Sequence, residues 1–152
     1  MIYIECKPDH VLVDALTEFP RKEIVHEFKG KFEVCKRLET SKNSKGLVDE
    51  DPSSIQPSYL SRMILEADLV EHNIKVLHDN SKNNYLIVLC PRLEDWILRV
   101  ARIAHIDVRN YDLPNDAHGL QQVININLNK FEELVKDLKG SSAGLKTLKK
   151  FL

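Results

Sequence analysis

The sequence has few cysteines, and their spacing follows no site pattern. Cys6, Cys35 and Cys90 are widely separated and odd in number. A disulfide framework needs cysteine pairs and a zinc site needs closely spaced ligands, so neither is indicated. We therefore interpret the three cysteines as small buried apolar residues in a reducing compartment.

An excess of charge of one sign is also lacking. The 152 residues include 22 basic and 23 acidic side chains, and the net charge is -1. Nucleic acid binding therefore cannot be inferred from bulk electrostatics and would need a local basic patch. The hydrophobic content of 43% favours one compact domain with a sizeable core over a disordered chain.

Long apolar segments are missing as well. The first residues, 1–5, reach an acid too early for the apolar region of a signal peptide, and no later apolar run has the length of a membrane span. We expect a soluble protein of the cytoplasm that has no membrane partner.

Several common catalytic motifs are absent. The pair Ser141-Ser142 lacks the Gly-x-Ser-x-Gly context of many serine hydrolases, and Gly30-Lys31 lacks the glycine-rich run that precedes the lysine of a P-loop. No two of the six histidines have the spacing of metal ligands. A serine hydrolase, a P-loop NTPase and a histidine metal site are therefore disfavoured.

The chain does contain a regular alternation of strand and helix patterns near its start. Short apolar runs rich in β-branched and aromatic residues predict strands, and apolar residues at helical spacing predict the helices between them. The predicted order is strand 1–4, helix 9–19, strand 23–28, helix 32–38 and a strand that ends at residue 49. This alternation predicts a three-layer α/β fold, with a mainly parallel sheet of four or five strands and helices on both faces.

The middle of the chain carries further elements. We predict a helix over 59–72, a fourth strand over 74–77, a loop or hairpin turn over 79–84, a central strand over 85–90 and a helix over 93–104. Glu94 and Asp95 in the first turn of that last helix have the charge that a helix N-terminus favours.

The C-terminal part has a weaker pattern. Residues 108–127 contain loop-forming residues, 128–138 predict a helix, and a break at 140–142 precedes a short amphipathic segment. We expect a single domain, with a core over 1–105 and a helical extension over 106–152.

Three acidic residues and a proline follow the apolar end of the third predicted strand. Asp49 and Asp51 are two positions apart, which on a strand directs both carboxylates to the same face. Hard cations such as Mg²⁺ prefer oxygen ligands of this kind. An acidic surface turn accounts for the same residues, because acids and proline are common in turns.

The order of acids at strand ends resembles the Toprim domain, which is shared by topoisomerases, bacterial primases and overcoming-lysogenization-defect family nucleases. Residues 3–9, Tyr-Ile-Glu-Cys-Lys-Pro-Asp, are similar to the family's apolar strand followed by Glu and, four residues on, Asp. Residues 46–51, Gly-Leu-Val-Asp-Glu-Asp, resemble its Asp-x-Asp strand end, and residues 28–34 resemble the Gly-Lys turn that opens its second helix. The resemblance extends to the region of Cys90.

The resemblance implies a Toprim-like or Rossmann-like fold with a Mg²⁺ or Mn²⁺ site that acts on phosphodiesters. The implied metal ligands are Glu5, Asp9, Asp49 and Asp51. Glu5 would also act as a general acid or base, while Lys31, and Lys7 with it, would contact phosphate from loops that follow strands. Two alternatives stay open. Asp9 is equally suited to cap the first helix, and a solvated side chain is the more common state of a lysine such as Lys7 or Lys31.

Two functions from different classes are therefore expected. The first is a metal-dependent, nuclease-like enzyme or phosphotransferase with nucleic acid as its partner. The alternative is a non-catalytic Toprim-like binding or regulatory module that acts with a separate ATPase or another protein, and it is favoured by Cys6 and Ser54, where many family members have glycine. Basic residues around the acids would favour the enzyme, whereas an apolar rim or a bare acidic patch would favour protein binding.

Overall fold

The computed structural model describes residues 1–152 and contains six strands and six α-helices. The strands are β1 (Ile2–Ile4), β2 (Ile24–His26), β3 (Lys45–Asp49), β4 (Ile64–Leu69), β5 (Ile74–Asp79) and β6 (Asn84–Leu89). The helices are α1 (Lys7–Leu16), α2 (Lys31–Thr40), α3 (Leu93–Ile103), α4 (Ala117–Val123), α5 (Leu128–Ser141) and α6 (Ala143–Phe151). None of these helices combines the length and the apolar character that a membrane crossing requires.

Hydrogen bonding arranges the strands in the order β2-β1-β3-β6-β5-β4. The strands β2, β1, β3 and β6 run parallel, whereas β5 is antiparallel to β6 and β4 is antiparallel to β5. The predicted α/β class is therefore confirmed, but the sheet is mixed and has six strands rather than four or five. The strand β6 has neighbours on both sides, so the central position predicted for 85–90 is correct.

Helices cover both faces of the sheet, as predicted. Ile2, Ile4 and Ile87 belong to the larger apolar cluster, together with side chains of α1, α3, α5 and α6. Leu86 and Val88 belong to the smaller cluster, together with side chains of α2. Successive side chains of a strand point to opposite faces, so a strand covered on both sides needs a continuous apolar sequence.

The segment 59–72 does not form the predicted helix. It forms a 3₁₀ turn (Ser58–Arg62), then β4, then a second 3₁₀ turn (Val70–His72). Its apolar residues fit helical spacing, but β4 pairs with β5 as an antiparallel edge strand. Asn73, in the left-handed conformation with φ 52°, permits the reversal between the two strands. Strand pairing thus overrides the local pattern.

The C-terminal helices contribute to the main core. Phe131 of α5 and Leu148 of α6 are fully buried in the larger cluster beside side chains of α1 and β1. Lys45 Nζ donates hydrogen bonds to the carbonyl oxygens of Phe151 and Leu152, at 2.8 and 2.6 Å. These contacts connect the end of the chain to the start of β3.

The break predicted at 140–142 is confirmed and lies at Ser142, the last of these residues. The helix α5 continues through Gly140 to Ser141, and Ser142 then begins α6 by accepting the Leu145 N–H on its side chain. In the segment 108–127, which was expected to form loops, α4 begins after Asp116, whose side chain caps it.

Gly46 provides a test of the packing between β3 and α2. An added Cβ would lie 2.9 Å from Leu86 Cδ1 and 3.0 Å from both Leu38 Cδ1 and Val34 Cγ1. We predict that Gly46→Ala lowers the free energy of unfolding by about 1–3 kcal/mol, because a close-packed core has no room for the methyl group. Urea denaturation would measure the change.

Gly140→Ala is the matched control. An added Cβ at Gly140 in α5 meets no atom within 4 Å. Alanine should therefore stabilise the helix by roughly 0.5–1 kcal/mol. Equal stability of the two alanine variants would contradict the close approach of β3 and α2.

Candidate functional site

The candidate site lies at the carboxyl ends of β1 and β3, which are neighbours in the sheet. From β1 the chain continues to β2 on one side and then crosses to β3 on the other, and the intervening helices α1 and α2 cover opposite faces. Open α/β sheets bind ligands at such a topological switch point. Glu5 follows β1 and Asp49 ends β3, so both acids lie at this crevice.

The crevice contains a cleft of about 360 Å³. The cleft is lined by Glu5, Lys31, Phe32, Asp49, Asp51, Ser54 and Ile55. Four of the predicted site residues, Glu5, Lys31, Asp49 and Asp51, are therefore brought together from separate parts of the chain. Asp9 does not line the cleft, and it is buried with only 2% of its surface exposed.

A hydrogen bond joins the two strand ends. Glu5 Oε2 accepts the backbone N–H of Asp49 at 2.8 Å. Burial raises the pKa of Glu5, and the charge of Asp51 adds to this effect, while the Asp49 N–H and the Lys31 ammonium lower the pKa. The Glu5 carboxyl group is thus held by a neutral donor and forms no salt bridge.

Asp49 connects β3 to the start of α3. Its Oδ1 accepts the N–H of Leu93, the first residue of that helix, at 2.8 Å. Burial, followed by the charges of Asp9, Glu5 and Glu94, raises the pKa of Asp49 to about 8, against the lowering effect of the Leu93 N–H. The sequence assigned Glu94 to the helix N-terminus. In the structure its charge also raises the pKa of Asp49.

Asp9 is not the N-cap of α1. The N-cap is Cys6, and Asp9 is the third residue of the helix. Asp9 Oδ2 accepts the backbone N–H groups of Glu5 and Cys6 at 3.2 and 3.1 Å, and the Cys6 thiol at 3.2 Å. Burial and then the charge of Glu5 raise the pKa of Asp9 to about 7. Asp9 thus fixes the backbone that carries Glu5, in the manner of a capping box.

The two positions where many Toprim members have glycine tolerate the residues present here. Cys6 has φ -147°, an extended conformation that any residue adopts. Ser54 closes the turn after Asp51, because its N–H and its hydroxyl both donate to the Asp51 carbonyl oxygen, at 3.0 and 2.8 Å. Neither residue has a positive φ, so neither strains the backbone around the cleft.

Lys31 and Gln56 hold the loop that carries Asp51. Lys31 Nζ donates to the Glu50 carbonyl oxygen at 2.6 Å and to Gln56 Oε1 at 2.9 Å. Gln56 Nε2 donates to the carbonyl oxygens of Glu50, Asp51 and Ser54, at 3.3, 3.0 and 3.2 Å. Sequence reasoning missed Gln56, because a single glutamine in a polar loop belongs to no motif.

The location expected for the two lysines was wrong. Lys31 is the first residue of α2 rather than a loop residue, and only 9% of it is exposed. Lys7 is the first residue of α1 and is exposed. Lys31 also borders a second cavity, of about 330 Å³, whose apolar walls include Val48 and Val88. Its ammonium donates to protein acceptors, so its contact with phosphate stays a prediction.

The chemistry of the cleft fits a hard cation. Glu5, Asp9, Asp49 and Asp51 form no salt bridge with any basic side chain. Carboxylate oxygens are the ligands that Mg²⁺ and Mn²⁺ prefer. In the present side-chain positions, however, no group of three His, Cys, Asp or Glu side chains is arranged to hold a metal ion. Binding through Glu5, Asp49 and Asp51 would therefore require rotation of carboxylate side chains.

The raised pKa values predict the pH dependence of stability in the metal-free protein. Unfolded aspartates ionise with a pKa of about 3.9, whereas in the folded protein the pKa of Asp9 is about 7 and that of Asp49 is about 8. Between these values the folded state binds more protons than the unfolded state. The free energy of unfolding should therefore fall as the pH rises from about 5 to about 8. Thermal unfolding in EDTA across this range would measure the slope.

Two variants test the origin of that slope. Asp49→Asn should make the dependence of the free energy of unfolding on pH less steep. The amide oxygen still accepts the Leu93 N–H, but the amide carries no titrating charge. Asp68→Asn is the control, since Asp68 is an exposed acid on β4 that forms no salt bridge, and it should keep the wild-type slope. The same slope in the wild type and in Asp49→Asn would contradict the burial of Asp49 among like charges.

Lys31→Met tests the support of the loop. Loss of the ammonium removes a charged donor from two acceptors, Glu50 O and Gln56 Oε1. It also removes the positive charge that lowers the pKa of Glu5. We expect the free energy of unfolding to fall by about 1–3 kcal/mol in urea denaturation. Lys36→Met, an exposed position on the same helix, should change it by less than about 0.5 kcal/mol. Similar stability of the two variants would mean that Lys31 does not hold the loop.

Comparisons with known proteins were made for the whole chain. Searches against protein-family models, curated proteins and solved structures returned no match.

Proposed function

We propose that the protein is a divalent-cation-dependent enzyme that acts on phosphodiesters, with a nuclease-like activity. The observation that carries the proposal is the convergence of Glu5, Asp49 and Asp51 on one cleft at the switch point of the sheet. Surface acids in ordinary turns point to solvent or pair with basic residues. These acids instead lie close together in a concave site and have no basic partner, which is an arrangement that a bound cation would stabilise.

Each residue of the cleft has a distinct role in this proposal. Glu5, Asp49 and Asp51 would hold Mg²⁺ or Mn²⁺, which would neutralise the charge that builds up on phosphate oxygens. Glu5 would also accept or release a proton, since it is fixed by the Asp49 N–H at the edge of the cleft. We assign Asp9 to the support of the Glu5 backbone, because its carboxylate oxygen is occupied by donors of Glu5 and Cys6.

Lys31 contributes to this site in two ways. Its hydrogen bonds to Glu50 and Gln56 hold the loop in which Asp51 lies. Its charge also favours the ionised form of Glu5, which is the form that binds a metal. We therefore propose that Lys31 acts mainly by positioning, and direct contact with a phosphate group would require its ammonium to leave one of its present acceptors.

We further propose that the fold is Toprim-like. In support, an acid follows β1, an Asp-x-Asp sequence ends β3, and the two strands are parallel neighbours. The Gly30-Lys31 turn opens α2 directly beside Glu5, because a Cβ added to Gly30 would lie 3.9 Å from Glu5 Oε1. The positions of these residues match the order of the sequence motifs that resemble the Toprim domain.

A second candidate function is a non-catalytic module that binds a protein partner. The observation that favours it is the apolar part of the cleft lining, where Phe32 and Ile55 are 54% and 83% exposed. Phe28, in the turn before α2, is 87% exposed. Apolar side chains grouped on a surface often mark a contact site. Under this function the acids would serve only to orient the partner, and no metal-dependent reaction would occur.

Metal titration separates the two functions. With Mg²⁺ or Mn²⁺, the wild type should cleave single-stranded, duplex or nicked DNA, and saturating metal should raise the free energy of unfolding by about 2.7 kcal/mol at a hundred times the dissociation constant. Asp49→Asn and Asp51→Asn should each lose most of this stabilisation and reduce the cleavage rate by roughly a hundredfold or more, because ligands of the metal are removed.

The control for these variants is Asp68→Asn, which should keep the wild-type rate and the wild-type response to metal. A weak metal site that forms fully only with substrate would mute the stability change, so the same titration should include a bound oligonucleotide. Unchanged substrates and unchanged stability with every metal would reject the enzyme and favour the binding module.

A further inference from the structure

Exposed apolar side chains line the cleft and also occur in the turn that leads to α2. Phe28 lies in the turn between β2 and α2, Phe32 is the second residue of α2, and Ile55 lies in the loop after β3. Phe32 and Ile55 line the same cleft as Glu5 and Asp49. Single exposed apolar residues are common on protein surfaces, but two that line one acidic cleft, with Phe28 four positions before Phe32, form a grouped surface that a ligand can use.

Phe28 is connected to the backbone of Glu5 through His26. Its ring lies against the ring of His26, with the centroids 4.5 Å apart and the planes inclined by 39°. His26 Nε2 is 3.0 Å from the carbonyl oxygen of Glu5, at hydrogen-bonding distance. Phe28 is 87% exposed, so this contact leaves most of its surface open to a ligand.

Free positive charge accompanies the rings. Lys29 directly follows Phe28, and Lys7 lies two positions after Glu5. Both lysines are exposed, and neither forms a salt bridge. Flat apolar rings and unpaired cations therefore occupy neighbouring positions of the chain next to residues of the cleft, a combination that matches a chain of flat bases joined by phosphates. An apolar protein partner would offer no negative charge to these unpaired cations.

We propose that Phe28 and Phe32 stack on unpaired bases of a single-stranded nucleic acid whose backbone passes over the acidic cleft. The inference rests on the proposed function, for which it names the substrate class. The bases of a duplex are already stacked and do not offer their faces to a side chain, so the rings select single-stranded or frayed segments. Lys7 and Lys29 contact the phosphates, and Ile55 provides a further apolar contact in the cleft lining.

The experiment measures binding by fluorescence anisotropy, with Ca²⁺ in place of Mg²⁺. The probes are a labelled oligothymidylate, an abasic oligonucleotide of the same length and charge, and a duplex. The wild type should bind the oligothymidylate about tenfold or more tightly than either other probe, since stacking is worth roughly 1–3 kcal/mol per base. The double variant Phe28→Ala/Phe32→Ala should lose this preference, while its binding of the abasic probe should not change.

Matched variants distinguish stacking from apolar contact. Phe28→Tyr/Phe32→Tyr should keep the preference, because tyrosine also has a flat ring, whereas Phe28→Leu/Phe32→Leu should lose it. Ile126→Ala, at a position 83% exposed in the C-terminal region, should bind like the wild type. Leucine variants that bind as well as the wild type, or equal binding of the base-bearing and abasic probes, would overturn the inference and point to an apolar protein contact.

Hydrolysis of a simple diester, bis(p-nitrophenyl) phosphate, separates the inference from the proposed function. Metal-dependent hydrolysis without any preference for the oligothymidylate would reject the stacking role and leave the enzyme in place. Ring-dependent binding of the oligothymidylate without hydrolysis of any substrate would reject the enzyme and leave the stacking role in place.

Discussion

The hydrogen bond from the Asp49 N–H to Glu5 Oε2 is the interaction on which the rest of the site depends. It requires β1 and β3 to be parallel neighbours in one register, with Ile4 opposite Leu47. That register is set by the core, because Ile4 and Leu47 are both completely buried in the larger apolar cluster. A slip of one residue would turn these side chains to the other face of the sheet. Apolar packing therefore determines where the acids meet.

Placing several carboxyl groups close together lowers the stability of the folded protein. Backbone N–H groups that donate to these carboxylates offset part of this loss. Asp9 accepts N–H groups that precede α1, and Asp49 accepts the first N–H of α3, so the two aspartates lie at positive ends of helices. These donors do not outweigh burial and mutual repulsion, since the pKa of each aspartate remains raised. Proteins keep unfavourable arrangements of this kind mainly at functional sites, where a ligand supplies the missing interaction.

Local patterns were sufficient to predict the first half of the sheet and the location of its acids. The strands that end near Glu5 and Asp49 are short apolar runs with clear stops, and parallel strands bring their carboxyl ends to one edge. The pattern failed over 59–72, where helical spacing and strand pairing compete and only the position of β5 decides. Sequence order likewise could not show that Asp9 turns back to the backbone of Glu5, because an acid after a strand suits both a ligand and a cap.

The loop after β3 determines how much movement a metal would require. The Glu50 N–H donates to the Leu89 carbonyl oxygen and the Asp51 N–H to the Pro91 carbonyl oxygen, at 2.9 and 2.8 Å, so the contact between β3 and the β6 segment continues beyond the end of both strands. Asp51 adopts φ 41°, a left-handed conformation that aspartate tolerates better than most residues.

The hydrogen bonds of Lys31 and Gln56 close the other side of the loop. Because the backbone of Asp51 is fixed from both sides, the movement that would bring its carboxylate towards Glu5 and Asp49 is confined to side-chain torsions. The entropic cost of forming the site is then limited to a few rotamers rather than the ordering of a whole loop. A cleft built in this way can remain open and acidic without metal and still be close to the geometry that a cation needs.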